Sequence, residues 1–351
     1  MTTFGKISKI LQVASFFVLS ACILFFLMII LTDYKPDKAT VLTNMPEAAA
    51  LHLDTIEILT WNTGYAGLDS AMDFFYDGGS KTRTCKTAAL QNLAAITSFI
   101  ADNSADFIFL QEVDRASTRS YKIDMLSRIS DKKPSYLSFY GINYNVFFVP
   151  VPLVSPMGKV ESGILTLSRY VPSQSVRYSY PMRQSFPKSL FLLDRCFVMC
   201  RYPLDNGKQL VLINTHNSAF DDEGEQRREE MLALKDFIIS EYERGNYVIA
   251  GGDWNQIPPL ENAKAYIDIS TEYFAPLRIP DNFMPPQWKW ISDGKPTNRF
   301  LDVPYVKGKT KETLLDFFLI SPNVKLIRTE RIDKNYQHSD HNPVVGIFAL
   351  N

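Results

Sequence analysis

Residues 247–255 read YVIAGGDWN, in which the apolar run Tyr247–Ala250 leads through two glycines to Asp253 and Asn255. A short apolar run that ends at glycine is typical of a buried strand. The same arrangement recurs in the chain. Because strands can end at a common edge of a sheet, we expect polar side chains distant in sequence to meet there. The other runs are Thr55–Thr63 with Asn62, Asp106–Val113 with Glu112, Gln209–Asn214 followed by His216, and Pro343–Leu350 preceded by Asp340 and His341.

Helical patterns lie between these strands. Cys85–Asn103 repeats apolar residues at spacings of 4, 3 and 4, and Glu225–Glu243 carries apolar residues on one face. Since strands outnumber helices and alternate with them, we expect an α+β sandwich of sheets with helices packed outside. Residues 54–351 contain no internal repeat and are expected to form one domain. Further strands are predicted at Asn145–Val149, Gly163–Leu167, Phe191–Tyr202 and Leu314–Ile320.

The composition is that of a globular protein. The chain has 351 residues, of which 46% are hydrophobic and 21% are charged, which excludes global disorder. Lys and Arg total 37 against 38 Asp and Glu, so the formal net charge is -1. Proteins that bind the nucleic-acid backbone usually carry more basic than acidic residues, so this charge balance argues against an obligate nucleic-acid binder.

The N-terminal segment is apolar enough to cross a membrane. Ile10–Leu31 contains no charged residue and, as a helix, would span about 33 Å. Lys6 and Lys9 precede it, whereas the charges after it cancel, so the positive-inside rule predicts that residues 1–9 are cytoplasmic. Residues 10–31 would then be a single-pass anchor, residues 32–53 a linker, and residues 54–351 a domain outside the cytoplasm.

Two alternatives to an uncleaved anchor remain for this segment. Leu19–Cys22 reads LSAC and is similar to a bacterial lipobox, in which Cys22 becomes the lipidated first residue, although the chain stays apolar after it. A cleaved signal peptide would have a shorter apolar core. All three interpretations place the domain outside the cytoplasm.

The polar residues predicted at the strand ends suit a hard cation. Carboxylate and amide oxygens from Glu, Asp and Asn are the ligands that Mg²⁺ prefers, and the cysteine and histidine spacing of a zinc site is missing. Asp316 lies inside the apolar run LLDFFLI, residues 314–320. A carboxylate buried there needs a partner, and we expect a histidine, either His216 or His341, which it would orient for acid–base chemistry.

Seven motifs together resemble the endonuclease/exonuclease/phosphatase superfamily, which includes DNase I, AP endonucleases, neutral sphingomyelinases, inositol-polyphosphate 5-phosphatases and deadenylases. They occur in the family's order over nearly all of residues 54–351. They are TWNT (60–63), LQEVD (110–114), SGILTLSR (162–169), NTH (214–216), GDWN (252–255), LDFF (315–318) and SDHNPV (339–344).

The resemblance implies a four-layer αββα sandwich (the DNase I-like fold) with the active site at one edge of the two sheets. It also implies metal-dependent hydrolysis of a phosphate ester, usually with Mg²⁺ and with Mn²⁺ as the alternative. The resemblance implies that Glu112, Asn62 and Asp340 bind the metal and that Asp253 and Asn255 bind the water and the phosphate. It implies acid–base chemistry by His341 with its partner Asp316. His216 marks a two-histidine branch of the family, which is sphingomyelinase- or nuclease-like.

The substrate class stays open. The anchor and the near-neutral charge favour a lipid or small phosphodiester; a nuclease acting on DNA or RNA, a phosphomonoesterase and a catalytically dead binding module are the alternatives. No protein partner is indicated. Residues 69–84 could form a substrate lip, and the apolar residues 147–154 could rest on a bilayer or be covered by the domain itself. Local positive charge comes from Arg169, Arg183, Lys188, Arg195 and Arg201.

Overall fold

A computed structural model describes residues 3–182, 186–219, 221 and 224–350. The α-helices are α1 (Thr3–Leu31), α2 (Lys86–Asp102), α3 (Met125–Lys132) and α4 (Glu225–Glu243), and short 3₁₀ helices occupy Gly64–Ala66, Phe75–Asp77, Lys188–Phe191 and Glu261–Tyr266. The strands are β1 (Ala39–Asn44), β2 (Thr55–Asn62), β3 (Phe107–Asp114), β4 (Leu137–Val149), β5 (Gly158–Ser168), β6 (Gln174–Ser179), β7 (Cys196–Pro203), β8 (Gln209–His216), β9 (Tyr247–Asp253), β10 (Gln256–Ile257), β11 (Leu277–Arg278), β12 (Lys289–Ile291), β13 (Asn298–Arg299), β14 (Glu312–Thr313), β15 (Asp316–Ile320), β16 (Val324–Arg331) and β17 (Val344–Leu350).

Two sheets pack face to face and carry helices on their outer sides. One sheet has the order β1-β6-β7-β8-β9-β15-β12 and the other β16-β17-β2-β3-β5-β4. Helices α2 and α3 cover the second sheet, and α4 covers the first, so the predicted αββα layering is confirmed. Apolar clusters fill the three interfaces: Leu93 and Ile96 with Leu59 and Leu110; Ile58 and Phe109 with Leu212 and Ile249; and Leu234 and Ile238 with Ile213 and Val248.

The strand directions bring the polar strand ends to one edge. β8 and β9 run parallel, with His216 opposite Asp253, and β15 is antiparallel to β9, with Asp316 opposite the same Asp253. In the other sheet β2 and β3 run parallel, and Asn62 ends β2. The Asn62 side chain donates a hydrogen bond to Asp253 across the two sheets at 2.9 Å. Polar residues at the ends of both sheets therefore meet.

The structure differs from the sequence prediction in several elements. Strand β4 begins at Leu137, eight residues before the predicted start, and β7 begins at Cys196 rather than Phe191. Helix α3 was not predicted, because eight residues carry too little periodicity to be recognised. The segment predicted as a linker, residues 32–53, contains β1, which pairs antiparallel with β6. An edge strand is held by main-chain hydrogen bonds and needs no apolar alternation, so its sequence does not reveal it.

Helix α1 lies outside the four layers. Among the described residues, its segment Lys9–Leu31 is the one helix long and apolar enough to cross a membrane, and it is suited to either a membrane span or a signal sequence. Most of its described side chains are exposed, but Ile29 is buried and Phe25 contacts Phe147 and Phe148 of β4. The first two residues of the predicted cytoplasmic segment lie outside the described residues.

Gly252 of β9 has a backbone conformation that only glycine adopts without strain. Its φ is +146°, and a Cβ atom there would lie 2.0 Å from the Thr215 carbonyl oxygen of β8. We expect Gly252→Ala to lower the free energy of unfolding by at least about 3 kcal/mol, because it adds a clash to an unfavourable dihedral angle. Denaturant unfolding of the full-length protein measures the change.

Gly207→Ala is the matched control. Gly207 also has a positive φ, +79°, but a Cβ atom added there would meet nothing within 4 Å. The dihedral cost alone should be about 1 kcal/mol. Equal losses for the two variants would show that close packing of β8 on β9 does not set the requirement for glycine.

Candidate active site

A buried Asp–His pair forms the centre of the edge cluster. Nδ1 of His341 lies 2.7 Å from Oδ2 of Asp316, and both side chains are almost fully buried. Nε2 of His341 lies 2.9 Å from the side-chain nitrogen of Asn298. That amide nitrogen is a donor, so in the neutral imidazole Nε2 accepts from it and Nδ1 donates to Asp316. Asp316 thus orients the ring.

The charge around His341 favours its protonated form. Burial lowers the pKa of this imidazole, but the carboxylates of Asp316, Asp253 and Asp340 outweigh burial and raise the pKa well above its ordinary value. Nε2 lies 3.7 Å from Asp253 Oδ2 and 3.8 Å from Asp340 Oδ2. His341 can therefore hold a second proton, on Nε2, near neutral pH; the Asn298 amide would then have to turn its oxygen toward the ring. A cation beside these carboxylates would offset part of the effect.

His216 is held in the opposite state. Burial, followed by the positive charges of Arg195 and His341, lowers the pKa of His216 well below its ordinary value. Its Nε2 atom lies 3.4 Å from Asp253 Oδ2 and 3.9 Å from Glu112 Oε1. Nδ1 is buried and has no hydrogen-bond partner among the described residues. The site thus contains one imidazole biased to be neutral and one biased to be charged.

Glu112 and Asn255 reach the site through unusual backbone conformations. Glu112 has a φ of +54° and Asn255 a φ of +50°, both in the left-handed region that costs free energy for residues other than glycine. Glu112 also lies where the register between β3 and β5 shifts, an irregularity that re-aims side chains. Its carboxylate is partly exposed to the cavity, and the Asn62 amide donates to it at 3.2 Å.

The acidic groups contact histidines but no lysine or arginine among the described residues. In the part of the chain that the structure describes, no Lys or Arg lies within 4.0 Å of the carboxylates of Glu112, Asp253 or Asp340. Burial raises the pKa of Asp253 to about 7 and that of Asp340 to about 6, with Glu112 adding to the second shift. Carboxylates gathered without a Lys or Arg partner among the described residues fit a divalent cation.

Asp253, Asp316 and His341 also offer atoms within 4.8 Å of one another, which a metal could bridge. Asp316 and His341 already share a hydrogen bond, whereas the Glu112 carboxylate is partly exposed and lines the cavity. Asn255 completes the cluster: its backbone N–H donates to Asp253 Oδ1 at 2.9 Å, and its side-chain amide donates to the carbonyl of Asn217 at 2.8 Å.

The cluster forms one end of a cavity of about 790 Å³. Its walls are largely apolar, and Phe74, Tyr76 and Asp77 from the segment 69–84 contribute to them. Six of the eight predicted site residues line this cavity, whereas Asn62 and Asp316 lie behind it. The six are Glu112, His216, Asp253, Asn255, Asp340 and His341.

Arg195 is one of four described lysines and arginines at the cavity, the others being Arg119, Lys188 and Arg299. It lines the cavity, and its Nη1 atom is buried with no hydrogen-bond partner among the described residues. Burial lowers the pKa of this guanidinium. Lys188 also lines the cavity, whereas Arg169 pairs with Asp106 and Arg201 with Glu241. Arg183 lies outside the described residues. The sequence alone does not distinguish which of these five basic residues lies at the site. No motif in the sequence points to Asn298 as a neighbour of His341.

The sequence model of the endonuclease/exonuclease/phosphatase family matches residues 59–341, most of the chain. The chain belongs to the endonuclease/exonuclease/phosphatase family. As a member of this family it is a hydrolase that acts on ester bonds, and the family generally uses divalent metals. A comparison with curated proteins gives no match.

Solved structures share the fold of this family. An endonuclease/exonuclease/phosphatase from Beutenbergia cavernae DSM 12333 is 15% identical, with a TM-score of 0.59, covering 85% of this chain and 72% of that one. TDP2 from Caenorhabditis elegans is 15% identical, with a TM-score of 0.51, covering 84% and 74%. ANGEL2, described as a 2',3'-cyclic phosphatase, is 12% identical, with a TM-score of 0.53, covering 90% and 99%. At such identities the likeness shows the fold alone.

Asp316→Asn tests the Asp–His pair of this family member. The substitution removes a carboxylate that raises the pKa of His341, so that pKa should fall. If His341 acts as an acid, kcat should drop at least about 10²-fold, and the alkaline limb of the pH–rate profile should move to lower pH. Steady-state kinetics across pH measure both effects.

The chain supplies a matched control pair. His52 and Asp205 form an Asp–His contact of 2.6 Å on the surface, where both side chains are more than half exposed. Asp205→Asn should leave kcat and its pH dependence unchanged. A folded Asp316→Asn protein with the kcat of the wild type would rule out an acid–base role for the buried pair.

Proposed function

We propose that this protein is a divalent-metal-dependent phosphoesterase that hydrolyses a phosphodiester by attack of water. One observation carries the proposal: three carboxylates with no Lys or Arg within 4.0 Å among the described residues, a buried Asp–His pair and an arginine whose Nη1 atom has no partner among those residues converge on one cavity. Mg²⁺ is the expected metal and Mn²⁺ the alternative, because the donors are carboxylate and amide oxygens.

The metal side of the site would be formed by Glu112, as principal ligand, with Asn62 and Asp340. When bound, the cation would neutralise charge on the phosphate oxygens. Asp253 and Asn255 would orient the attacking water and hold the phosphate. Asp253 is suited to taking the water's proton because burial raises its pKa to about 7.

His341 would donate a proton to the leaving oxygen and stabilise the phosphate, while Asp316 positions its ring. His216 has a lowered pKa and would act as a neutral hydrogen-bond donor to a phosphate oxygen. This pair of histidines supports placing the protein in a two-histidine branch of the family. Arg195 would bind a second phosphate oxygen, since its buried Nη1 atom has no hydrogen-bond partner among the described residues.

We propose that helix α1 anchors the protein in a membrane. Residues 1–9 would lie in the cytoplasm, residues 10–31 would span, residues 32–53 would connect, and residues 54–351 would form the catalytic domain outside. The lysines before the apolar segment and the balanced charges after it support this orientation. Lipidation at Cys22 is the alternative and would leave the domain on the same side.

A lipid or small phosphodiester is the favoured substrate class. The apolar helix, the formal net charge of -1 and the apolar cavity walls support it. DNA or RNA is the second candidate, favoured by Lys188 and Arg195 in the cavity together with the half-exposed ring of Tyr76. A dead binding module is disfavoured because each of the chemical groups that the reaction needs is present.

Metal dependence is the first test. The purified full-length protein should hydrolyse a chromogenic phosphodiester with Mg²⁺ or Mn²⁺ and lose this activity in EDTA. Metal at 100 times its dissociation constant should add about 2.7 kcal/mol of stability, measured as a rise in melting temperature. Glu112→Gln should weaken both effects, because it removes a negative charge from the proposed ligands.

Glu330→Gln is the control for Glu112→Gln. Glu330 pairs with Arg328 on the edge strand β16, outside the cavity lining. This variant should respond to metal like the wild type. Full turnover in excess EDTA would contradict a metal-dependent mechanism, whatever the melting temperatures show.

Substrate preference is the second test. Parallel rates on sphingomyelin, inositol phosphates, plasmid DNA and RNA should be higher for the lipid or the small esters than for the polymers. The physical reason is that a protein without basic excess gains little from polyanion attraction. Nicking of supercoiled DNA without any cleavage of lipid would reverse this ranking and favour a nuclease.

A further inference from the structure

The connection between β4 and β5 presents apolar side chains to solvent. Residues 147–156 read FFVPVPLVSP and contain no charged residue. We call residues 150–156 the hairpin tip. Within it Leu153 is 89% exposed and Val154 is 99% exposed. Adjacent aliphatic side chains exposed to this degree, on a segment without charges, are typical of a surface that contacts an apolar phase or a partner.

The strand end that leads into the hairpin tip touches helix α1. The ring of Phe25 lies 5.6 Å from that of Phe148 and 6.5 Å from that of Phe147, measured between centroids. Phe25 is six residues before Leu31, the last residue of α1, which corresponds to about 9 Å along the helix axis. If Leu31 lies at the outer boundary of the bilayer, this contact lies within the hydrocarbon layer.

We propose that the hairpin tip inserts into the outer leaflet beside α1 and forms a second membrane contact. The proposal rests on the topology proposed above, in which α1 spans the membrane. The tip directly follows two rings that contact α1 below its outer end, so it lies at the depth of the acyl chains. Leu153 and Val154 then face lipid instead of water, which removes the cost of their exposure.

A second copy of the chain is a poorer occupant for this surface. A stable protein interface buries about 800 Å² on each partner, far more than the few exposed side chains of the hairpin tip provide. A partner would also have to approach alongside α1, where lipid surrounds a spanning helix. The bilayer needs neither a large area nor a complementary shape.

The hairpin tip is held in place by hydrogen bonds at its base. Thr82 Oγ1 donates to the carbonyl of Ser155 at 2.8 Å, and Arg83 Nη2 donates to the carbonyl of Pro156 at 2.6 Å. The Met157 N–H donates to the Val151 carbonyl at 3.0 Å. A loop fixed in this way loses little conformational freedom on insertion.

Insertion would set the catalytic cavity at the membrane surface. Met157 and Tyr144, which lie at the base of the same hairpin, line the cavity. Met157 is three residues from Val154, a separation of at most about 11 Å along the chain. An ester at the lipid headgroup level would therefore lie close to the cavity wall.

Depth-dependent fluorescence quenching tests the insertion. The full-length Leu153→Trp protein is reconstituted into phosphatidylcholine vesicles with and without bromines on the acyl chains. Bromines quench indoles that lie among the acyl chains, so its emission should fall more than that of the wild-type protein. Iodide in the aqueous phase should quench the added indole weakly.

Ile327→Trp is the matched control. Ile327 is exposed on β16, at the edge of the sheet opposite β4, and should be quenched by iodide and not by bromines. Equal bromine quenching for the two variants would overturn the insertion. Extraction of the wild-type protein with alkaline carbonate separates the two proposals. Release by carbonate would refute the spanning helix, whereas carbonate resistance without quenching at residue 153 would refute the hairpin contact alone.

Discussion

The hydrogen bond between Asp316 and His341 is the interaction on which the site depends. A fully buried carboxylate at the start of the apolar strand β15 would be costly without a partner, and the imidazole provides one at 2.7 Å. The bond also joins the two sheets, because β15 belongs to one and His341 precedes β17 of the other. Correct packing of the sheets and formation of the Asp–His pair therefore depend on each other.

The remaining acidic residues make the site electrostatically unfavourable on its own. Asp253 and Asp340 have pKa values raised by burial, and Glu112 occupies a left-handed backbone conformation, yet no described Lys or Arg lies within ion-pair distance of them. These features lower the free energy of unfolding, and a cation bound beside the carboxylates would raise it again. The guanidinium of Arg195 is buried in the same cavity and would attract an anionic ester.

The N-terminal helix and the catalytic fold are connected by more than chain continuity. Phe25 packs on the end of β4, and residues 32–53 contribute β1 to the edge of the larger sheet. The domain therefore has a defined orientation relative to α1. A short connection through an ordered strand leaves less freedom than a flexible tether would.

By itself, the sequence determined the kind of fold, the apolar N-terminal helix and the residue types of the site, because apolar periodicity and motifs are local properties of a chain. It left the partner of Asp316 open between His216 and His341, treated Arg195 and Arg201 alike, and gave no sign of β1 or Asn298. Only the tertiary structure decided these points. Strand register and sheet packing set which distant side chains touch, and both depend on contacts over the whole chain.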